Sequence, residues 1–415
     1  MKIAKVTGRE IFDSRGIPTI ECELWLENGI AVRSSVPSGT SRGSFEATEL
    51  RDGGKRLMGK GVSKAIDKIE NIIAPILIDK EPEVVEMDMN MIELDGTENK
   101  SNLGANTMLA VSMAVLRAQA VINETEVYEF IAHLCNQSSV SIPFPMFNVL
   151  NGGLHADNTL QMQEIMIVPT GAQSFRESFE LATCVFQALR TLLIKKGHCV
   201  GVGYEGGFTP QLTDVHEALD LVMEAIAITK TTSQMKLSVD VAANQFFDPS
   251  TQKYNWQGSK LTADKMIEYY VKLAKDYPLY SIEDGLSESD WEGWQALTKK
   301  MGDKVQIVGD DIFVTNPYRI SQGIEDSVAT AAVIKPNQIG TITETLQAIN
   351  LCKEHGMQVV ISHRSGETED TFIVDLAVGT SAGHIKAGGP SRGERIAKYN
   401  QLLRIEDALM MSLLL

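Results

Sequence analysis

No run in this chain approaches the ~20 apolar residues of a membrane-spanning helix, so no membrane span is expected. Basic charge is also in short supply. Lys and Arg number 38 against 54 Asp and Glu, and the net charge of −16 repels phosphate backbones. No basic stretch interleaved with aromatics offsets this, so nucleic acid is excluded as an expected partner. Cysteine is scarce and unpaired in pattern. Cys22, Cys135, Cys184, Cys199 and Cys352 are odd in number, scattered, and never form a C-x-x-C pair. That usage excludes a disulfide framework and reads as reduced thiols in a cytosolic core. The start, Met1-Lys2-Ile3-Ala4-Lys5, lacks a signal-type apolar segment, and a cytoplasmic location is expected.

What is present is a chain of 415 residues, 43% of them hydrophobic, long enough for two domains. In its second half, short apolar runs repeatedly end on an ionisable residue. Leu237-Ser238-Val239 precedes Asp240, Tyr280-Ser281-Ile282 precedes Glu283, and Val305 to Gly309 precede Asp310. Ala331 to Ile334 precede Lys335, Val359 to Ser362 precede His363, and His384-Ile385 precedes Lys386. The last five are 27, 25, 28 and 23 positions apart, the length of one strand–helix–strand unit. Apolar runs too short for a helix read as strands buried on both faces of a parallel sheet. Charged groups at their C-terminal ends lie where such sheets build active sites.

Helix starts recur in step: Ser287-x-x-Asp290, Asn316-Pro317, Thr341-x-x-Glu344 and Ser391-x-x-Glu394. The first part of the chain is organised differently. Residues 1 to about 36 read as a strand meander with a turn at Glu27-Asn28-Gly29, followed by a Gly- and hydroxyl-rich segment from Pro37 to Ser44. Helical patterns then span 62–78, 83–94 and 106–122. The polar stretch from Cys135 to Ser141 marks a boundary. The predicted fold class is α/β: a smaller α+β domain over 1–135, then a (β/α) barrel of TIM type over 141–415. An open doubly wound sheet is the competitor, and no Gly-x-Gly-x-x-Gly after a strand supports it.

Asp240, Glu283 and Asp310 offer oxygen ligands from three strand ends, a set suited to Mg²⁺ rather than zinc. The bland alternative is that each acid caps a neighbouring helix. Lys335 and Lys386 face the same mouth. A lysine beside metal ions loses preference for its ammonium form and becomes a base; otherwise it is a solvated side chain or an ion pair. His363-Arg364-Ser365-Gly366 forms either a phosphate-binding turn or a polar loop. Upstream, Asn151-Gly152-Gly153-Leu154-His155, Gln163-Glu164 and the glycine-flanked Glu205 add a histidine and two acids able to share a proton.

These segments resemble the enolase family nearly end to end. The resemblance rests on Asp-Ser-Arg-Gly at 13–16, Leu-Asp-Gly-Thr at 94–97, Asn-Lys-Ser at 99–101 and Leu-Gly-Ala-Asn at 103–106. Asn-Gly-Gly at 151–153, Ser-Ile-Glu-Asp-Gly-Leu at 281–286 and Ala-Lys-Tyr-Asn-Gln-Leu-Leu-Arg-Ile-Glu at 397–406 continue it. The run Ser-His-Arg-Ser-Gly-Glu-Thr-Glu-Asp at 362–370 is its most specific part. The resemblance implies a lyase, phosphopyruvate hydratase, that interconverts 2-phosphoglycerate and phosphoenolpyruvate in glycolysis. It implies two Mg²⁺ ions, the tighter on Asp240, Glu283 and Asp310 and the second bound with substrate and helped by Ser41 in a closing lid. Lys335 would take the α-proton, and Glu205, supported by Glu164, would protonate the leaving hydroxyl. Lys386 would neutralise the substrate carboxylate, Arg364 and Ser365 would hold the phosphate, and His155, Gln163 and His363 would lie nearby. A homodimer or larger homo-oligomer is likewise implied.

The chain also departs from the family pattern. Ile17 stands where Asn is usual, Arg42 where the lid has Thr, Phe45 where it has His, and Tyr204 where the acid loop has Asp; Pro336 follows the base. Arg42 has three readings: a phosphate contact, a solvent-facing side chain, or a competitor of the second Mg²⁺. Two alternative functions follow. One is a paralogue acting on a related phospho- or phosphono-acid. The other is a surface protein resembling a plasminogen receptor, which the ending Ser412-Leu413-Leu414-Leu415, without a terminal lysine, weakens.

Overall fold

The computed structural model describes residues 1–412. Strands β1 (Ile3–Phe12), β2 (Pro18–Leu26) and β3 (Ala31–Ser35) form the expected antiparallel meander. The helical pattern over 62–78 resolves into Ser63–Lys68, a π-helical turn Ile69–Ile73, and Ala74–Leu77. Pro75 is the reason. It has no N–H to give to the preceding turn, so the backbone widens just before it. Helices Val84–Asp95 and Ala105–Ile122 follow. The second is long and apolar enough to cross a membrane by composition, which the sequence reading did not expect. It is 83% buried, packed under β2 and β3 on one side and against the barrel domain on the other.

The barrel is assembled from β4 (Phe144–Asn151), β5 (Glu164–Val168) and β6 (Lys236–Asp240), then, after the small antiparallel excursion β7 (Phe247–Asp248), β8 (Lys253–Trp256) and β9 (Ser259–Leu261), from β10 (Leu279–Glu283), β11 (Gln306–Gly309), β12 (Ala331–Ile334), β13 (Gln358–Ser362) and β14 (His384–Lys386). These eight strands close in the order β10-β11-β12-β13-β14-β4-β5-β6. The barrel is not wholly parallel: β5 runs antiparallel to both β4 and β6. No crossover helix joins β4 to β5, and a strand that returns directly must return reversed. Met146, Met166, Val168, Val308, Ala331, Val333 and Val360 fill the interior below the mouth.

Several local expectations are corrected. Asp290, not Ser287, caps Trp291–Met301, accepting from the Gly293 amide at 3.1 Å. Ser391 does not open the last helix, which runs from Gly393; its hydroxyl donates to the Gly206 carbonyl at 2.7 Å. Asn316 and Thr341 do cap their helices through their side chains. The thiols are not all in the core, since Cys184 and Cys199 are exposed on helix Phe175–Lys195 and the loop after it.

The two parts dock by satisfying each other's backbone. The first amides of barrel helix Ile342–Glu354 are capped from the N-terminal side. Ser112 Oγ accepts from the Ile342 amide at 3.0 Å, and the Asp88 carboxylate accepts from the Thr343 amide at 2.9 Å and its hydroxyl at 2.7 Å. A helix start leaves such amides without intrahelical partners, so the docking caps the first two of them while Thr341 caps the Glu344 amide from within the barrel. Nearby, Arg117 grips Asp370 with two bonds of 2.7 Å, and Asp375 lies beneath the pair.

Burial pushes Asp375 up to about 7, against the pull of Arg117 and with the help of Asp370. A carboxyl raised in the folded state contributes stability that is complete below its unfolded pKa and lost as pH rises toward the folded value. Asp375→Asn lacks this loss. Its urea-unfolding free energy, relative to the parent, is expected to rise by roughly 2 kcal/mol between about pH 5 and about pH 7. A pH-independent difference would show that Asp375 is already charged in the fold.

Candidate active site

The direction of each strand decides which residue reaches the mouth. In the parallel strands β6 and β10 it is the last residue, Asp240 and Glu283, and these face each other in register. Asp310, Lys335 and His363 follow the ends of β11, β12 and β13, and Lys386 ends β14. In the reversed β5 it is the first residue, so Glu164 pairs with Asp240 on one side and with Asn151 on the other. Gln163, just before it, donates to Asp240 Oδ2 at 3.1 Å.

Lys386 is buried among three acids. Its Nζ lies 2.7 Å from Glu283 Oε1, 3.4 Å from Glu164 Oε2 and 3.5 Å from Asp240 Oδ2. Burial opposes its charge, but these carboxylates outweigh burial and hold its pKa well above the usual lysine value. Lys335 Nζ donates to Asp310 Oδ2, and Gln338 donates to Asp310 Oδ1 at 2.9 Å. Burial again works against the Lys335 ammonium, and Asp310 reverses the balance.

A second group forms around Glu205. Gly206 at φ 91° lets its loop turn, and the Asn151 side chain holds the Gly207 amide at 3.0 Å. Glu205 Oε2 accepts from Asn148 at 3.1 Å and lies 3.4 Å from His155 and 3.5 Å from His363. Burial would raise Glu205, yet the two histidines carry it well below the ordinary carboxylate range. Glu164 goes the other way, raised by burial and by the charge of Glu205. The pair thus holds one proton between two carboxyls, resting on Glu164.

Two residues that the sequence reading passed over hold this arrangement. Arg395, fully buried, donates to the Arg364 carbonyl at 2.7 Å, the Ser365 carbonyl at 2.9 Å and the Tyr204 carbonyl at 2.8 Å. Its Nη1 also lies 2.6 Å from His363 Nδ1. Guanidinium only donates, so Nδ1 accepts and Nε2 carries the proton that faces Glu205. Burial keeps His363 neutral. Asp284, at φ 45°, accepts from the Asp310 and Asp311 amides at 2.9 and 3.1 Å. The acid doublets Glu283-Asp284 and Asp310-Asp311 were the available signal; Arg395 left none beyond its charge.

The lid lies shut. Ser38 and Gly366 exchange backbone bonds of 2.8 and 2.9 Å, and Ser365 Oγ takes the Thr40 amide at 2.7 Å. Arg364 donates to the Ser41 carbonyl at 3.0 Å and to Asn337 at 2.9 Å, and pairs with Glu46 at 3.1 Å. Gly39 is needed there, because a Cβ would overlap the Arg364 guanidinium. Phe45 is not loose: the Arg319 guanidinium stacks 3.9 Å from its ring centroid. The Arg42 guanidinium pairs with Glu49 while the side chain stays 43% exposed, as its solvent-facing reading expected. Gln163, His155, Glu164, Glu205, Asp240, Lys335, His363, Arg364, Ser365, Lys386 and Ser41 line one cavity with only about 10 Å³ of open space, while Glu283 lies beneath Lys386 and Asp310 faces the adjoining cleft with Asp284 and Asp311.

The donor set fits a hard divalent cation. Ligand oxygens of Asp284, Asp310 and Asp311 come within 4.8 Å of one another, whereas the set Asp240, Glu283 and Asp310 is spaced apart by the two lysines. Burial pushes Glu283 up to about 8, with Asp240 and Asp310 adding to it against Lys386. Glu283 Oε2 is buried with no hydrogen-bond partner. Carboxylates crowded without soft ligands, and under-neutralised, suit magnesium-like chemistry. Two families match this chain, together spanning nearly all of it: "Enolase, N-terminal domain" over residues 3–131 and "Enolase, C-terminal TIM barrel domain" over residues 139–413. With the barrel, its reversed strand and the acid-lined mouth in place, the chain belongs to the enolase family.

Proposed function

We propose that this chain catalyses the reversible dehydration of 2-phosphoglycerate to phosphoenolpyruvate. The observation that carries the reading is one cavity shared by Lys335, the Glu164–Glu205 pair, Lys386 and the Arg364–Ser365 turn. The substrate presents a carboxylate, a phosphate, a proton α to the carboxylate and a β-hydroxyl. Each has a counterpart in this cavity. Arg364 and Ser365 meet the phosphate, Lys386 the carboxylate, Lys335 the α-proton and the Glu164–Glu205 pair the hydroxyl.

The enolase family is Mg²⁺-dependent in general, and here Asp240, Glu283 and Asp310, with Ser41 from the lid, would hold two such ions. When bound, they supply positive charge that disfavours the Lys335 ammonium and offsets the charge building on the substrate carboxylate. Lys335 then abstracts the proton, its position set by the Thr315 hydroxyl, which accepts from the Lys335 amide at 2.8 Å. The proton shared by Glu164 and Glu205 is delivered to the departing hydroxyl. His155 and His363 stabilise the carboxylate left behind. Closure of Ser38, Gly39 and Thr40 over Ser365 excludes water. The reading extends to a homodimer in the cytoplasm, which sedimentation and fractionation test.

Three outcomes are expected. EDTA should abolish turnover of 2-phosphoglycerate and Mg²⁺ restore it, with Asp240→Asn, Glu283→Gln and Asp310→Asn each raising the Mg²⁺ requirement about tenfold or more. Full activity in a metal-stripped sample contradicts the reading. Lys335→Ala should stop exchange of the α-proton with solvent, whereas Glu205→Gln should keep exchange and lose dehydration; the reverse pattern would swap their roles. Finally, Gly39→Ala displaces Arg364, so KM for 2-phosphoglycerate should rise about tenfold, by more than kcat falls. An unaltered KM would show that the lid does not meet Arg364 during turnover.

A further inference from the structure

Outside the catalytic cavity, on the outer side of the lid, lies a cleft with about 280 Å³ of open space. Four cations line it: Arg15 from the loop between β1 and β2, Arg42 from the lid, and Arg51 and Lys60 from the segment after the lid. Ser38 and Thr40 add hydroxyls to its rim, and Ile17 and Tyr204 form its apolar wall. Only two carboxylates bond these cations. Asp13 holds Arg15 at 2.8 Å, and Glu49 is shared between Arg42 and Arg51. Among the described residues Lys60 has no carboxylate within ion-pair distance. The cleft therefore presents four cations to two bonded carboxylates on a chain whose net charge is −16, with Glu10, Glu46 and Asp52 acting on them from farther away. The guanidinium of Arg42 is disfavoured first by burial and then by Arg364, with Glu46 acting against them and Arg51 and Arg15 adding smaller repulsion.

Three of the five departures from the family pattern, Ile17, Arg42 and Tyr204, meet in this one cleft. Relative to that pattern they add a cation at 42 and remove an acid at 204, and both changes act in the same direction. We infer that the cleft is an anion site for a phosphate dianion, either free phosphate or a phosphate monoester, separate from the catalytic phosphate turn. The planar fork of Arg42 suits tetrahedral phosphate oxygens, Arg51 adds charge while its own fork is held by Pro18, Lys60, Ser38 and Glu49, and Lys60 adds a point charge. Long polyanions are disfavoured by the acidity of the remaining surface. Ile17 and the Tyr204 ring would cover the carbon skeleton of an ester, which makes the monoester the tighter ligand. A ligand here touches the lid, the N-terminal loops and the barrel loop carrying Tyr204. Its occupancy thus couples to the lid without entering the catalytic cavity, and it stands whether or not the reaction proposed above is correct.

Acylation footprinting of the full chain in EDTA, read by mass spectrometry, tests this locally. Inorganic phosphate and glycerol 3-phosphate are titrated in separate arms at constant ionic strength, with Lys55 and Lys64 as internal references. Both should slow acylation of Lys60 and leave the references unchanged, the ester acting at the lower concentration. Equal midpoints would assign the site to free phosphate and remove the role given to Ile17 and Tyr204. In Arg42→Thr the midpoint should move up about tenfold, the cost of one charge-assisted contact, and Arg42→Lys should recover part of it. Arg42 is 43% exposed, so the exchange leaves the fold in place. No protection of Lys60 in either arm, or protection unmoved by Arg42→Thr, overturns the inference.

Discussion

The ammonium of Lys386 lies almost without solvent among Glu283, Asp240 and Glu164, and the barrel mouth is organised around it. Without that charge the acids at the ends of β6 and β10 and at the start of β5 would repel one another in a low-dielectric setting. Breaking a buried pair of this kind costs about 3–5 kcal/mol because the partner charge stays behind. Even so, Lys386 and Lys335 together do not match the acids that face them. Glu283 and Asp311 are pushed toward neutrality, to about 8 and about 7, by burial first and by neighbouring carboxylates next. A mouth that holds more negative charge than its own cations can balance is built to accept more positive charge.

The lid shows the same economy with opposite sign. Arg364 has to be available for an anion, yet a buried guanidinium needs acceptors at all times. Glu46, Asn337 and the Ser41 carbonyl supply them in the closed form. These contacts keep the turn at 363–365 rigid, and Arg395 fixes the same turn from below through two of its carbonyls and His363, tying it to Tyr204 as well. The phosphate turn is therefore held from two sides by groups that contact no reacting atom.

Most of the barrel and its mouth were legible because strand ends repeat. An apolar run followed by Asp240, Glu283, Asp310, Lys335, His363 or Lys386 states both the strand and the direction in which it exits. β5 hid from that rule by running backwards. In Glu164-Ile165-Met166-Ile167-Val168 the acid precedes the apolar run, so the same physics writes the mirror pattern. Caps were read correctly where one hydroxyl or amide stood alone, as at Asn316 and Thr341. Where two candidates competed, as with Ser287 and Asp290, tertiary contacts chose: the Tyr254 hydroxyl bonds Asp290 at 2.7 Å and seats it at the helix start. Arg395 and Asp284 were not legible, because positioning roles depend on distances that no spacing encodes. The destination of Arg42 was likewise settled by Glu49, seven positions away on the far side of a loop.

Helix Ala105–Ile122 is apolar on nearly every face because it has two hosts, the meander and the barrel domain. During synthesis those hosts do not arrive together. The meander precedes the helix, but the barrel elements it packs against, Pro336–Ile339 and Ile342–Glu354, emerge from the ribosome more than two hundred residues later. Until then the nascent chain carries a greasy, half-housed helix in front of a growing barrel, a form prone to self-association. The side chain of Asp88 and the hydroxyl of Ser112, which later cap the arriving barrel helix, also wait beside it. Translation therefore leaves a long interval in which one face of this helix lacks its partner, and the interval closes only when the final third of the chain is made.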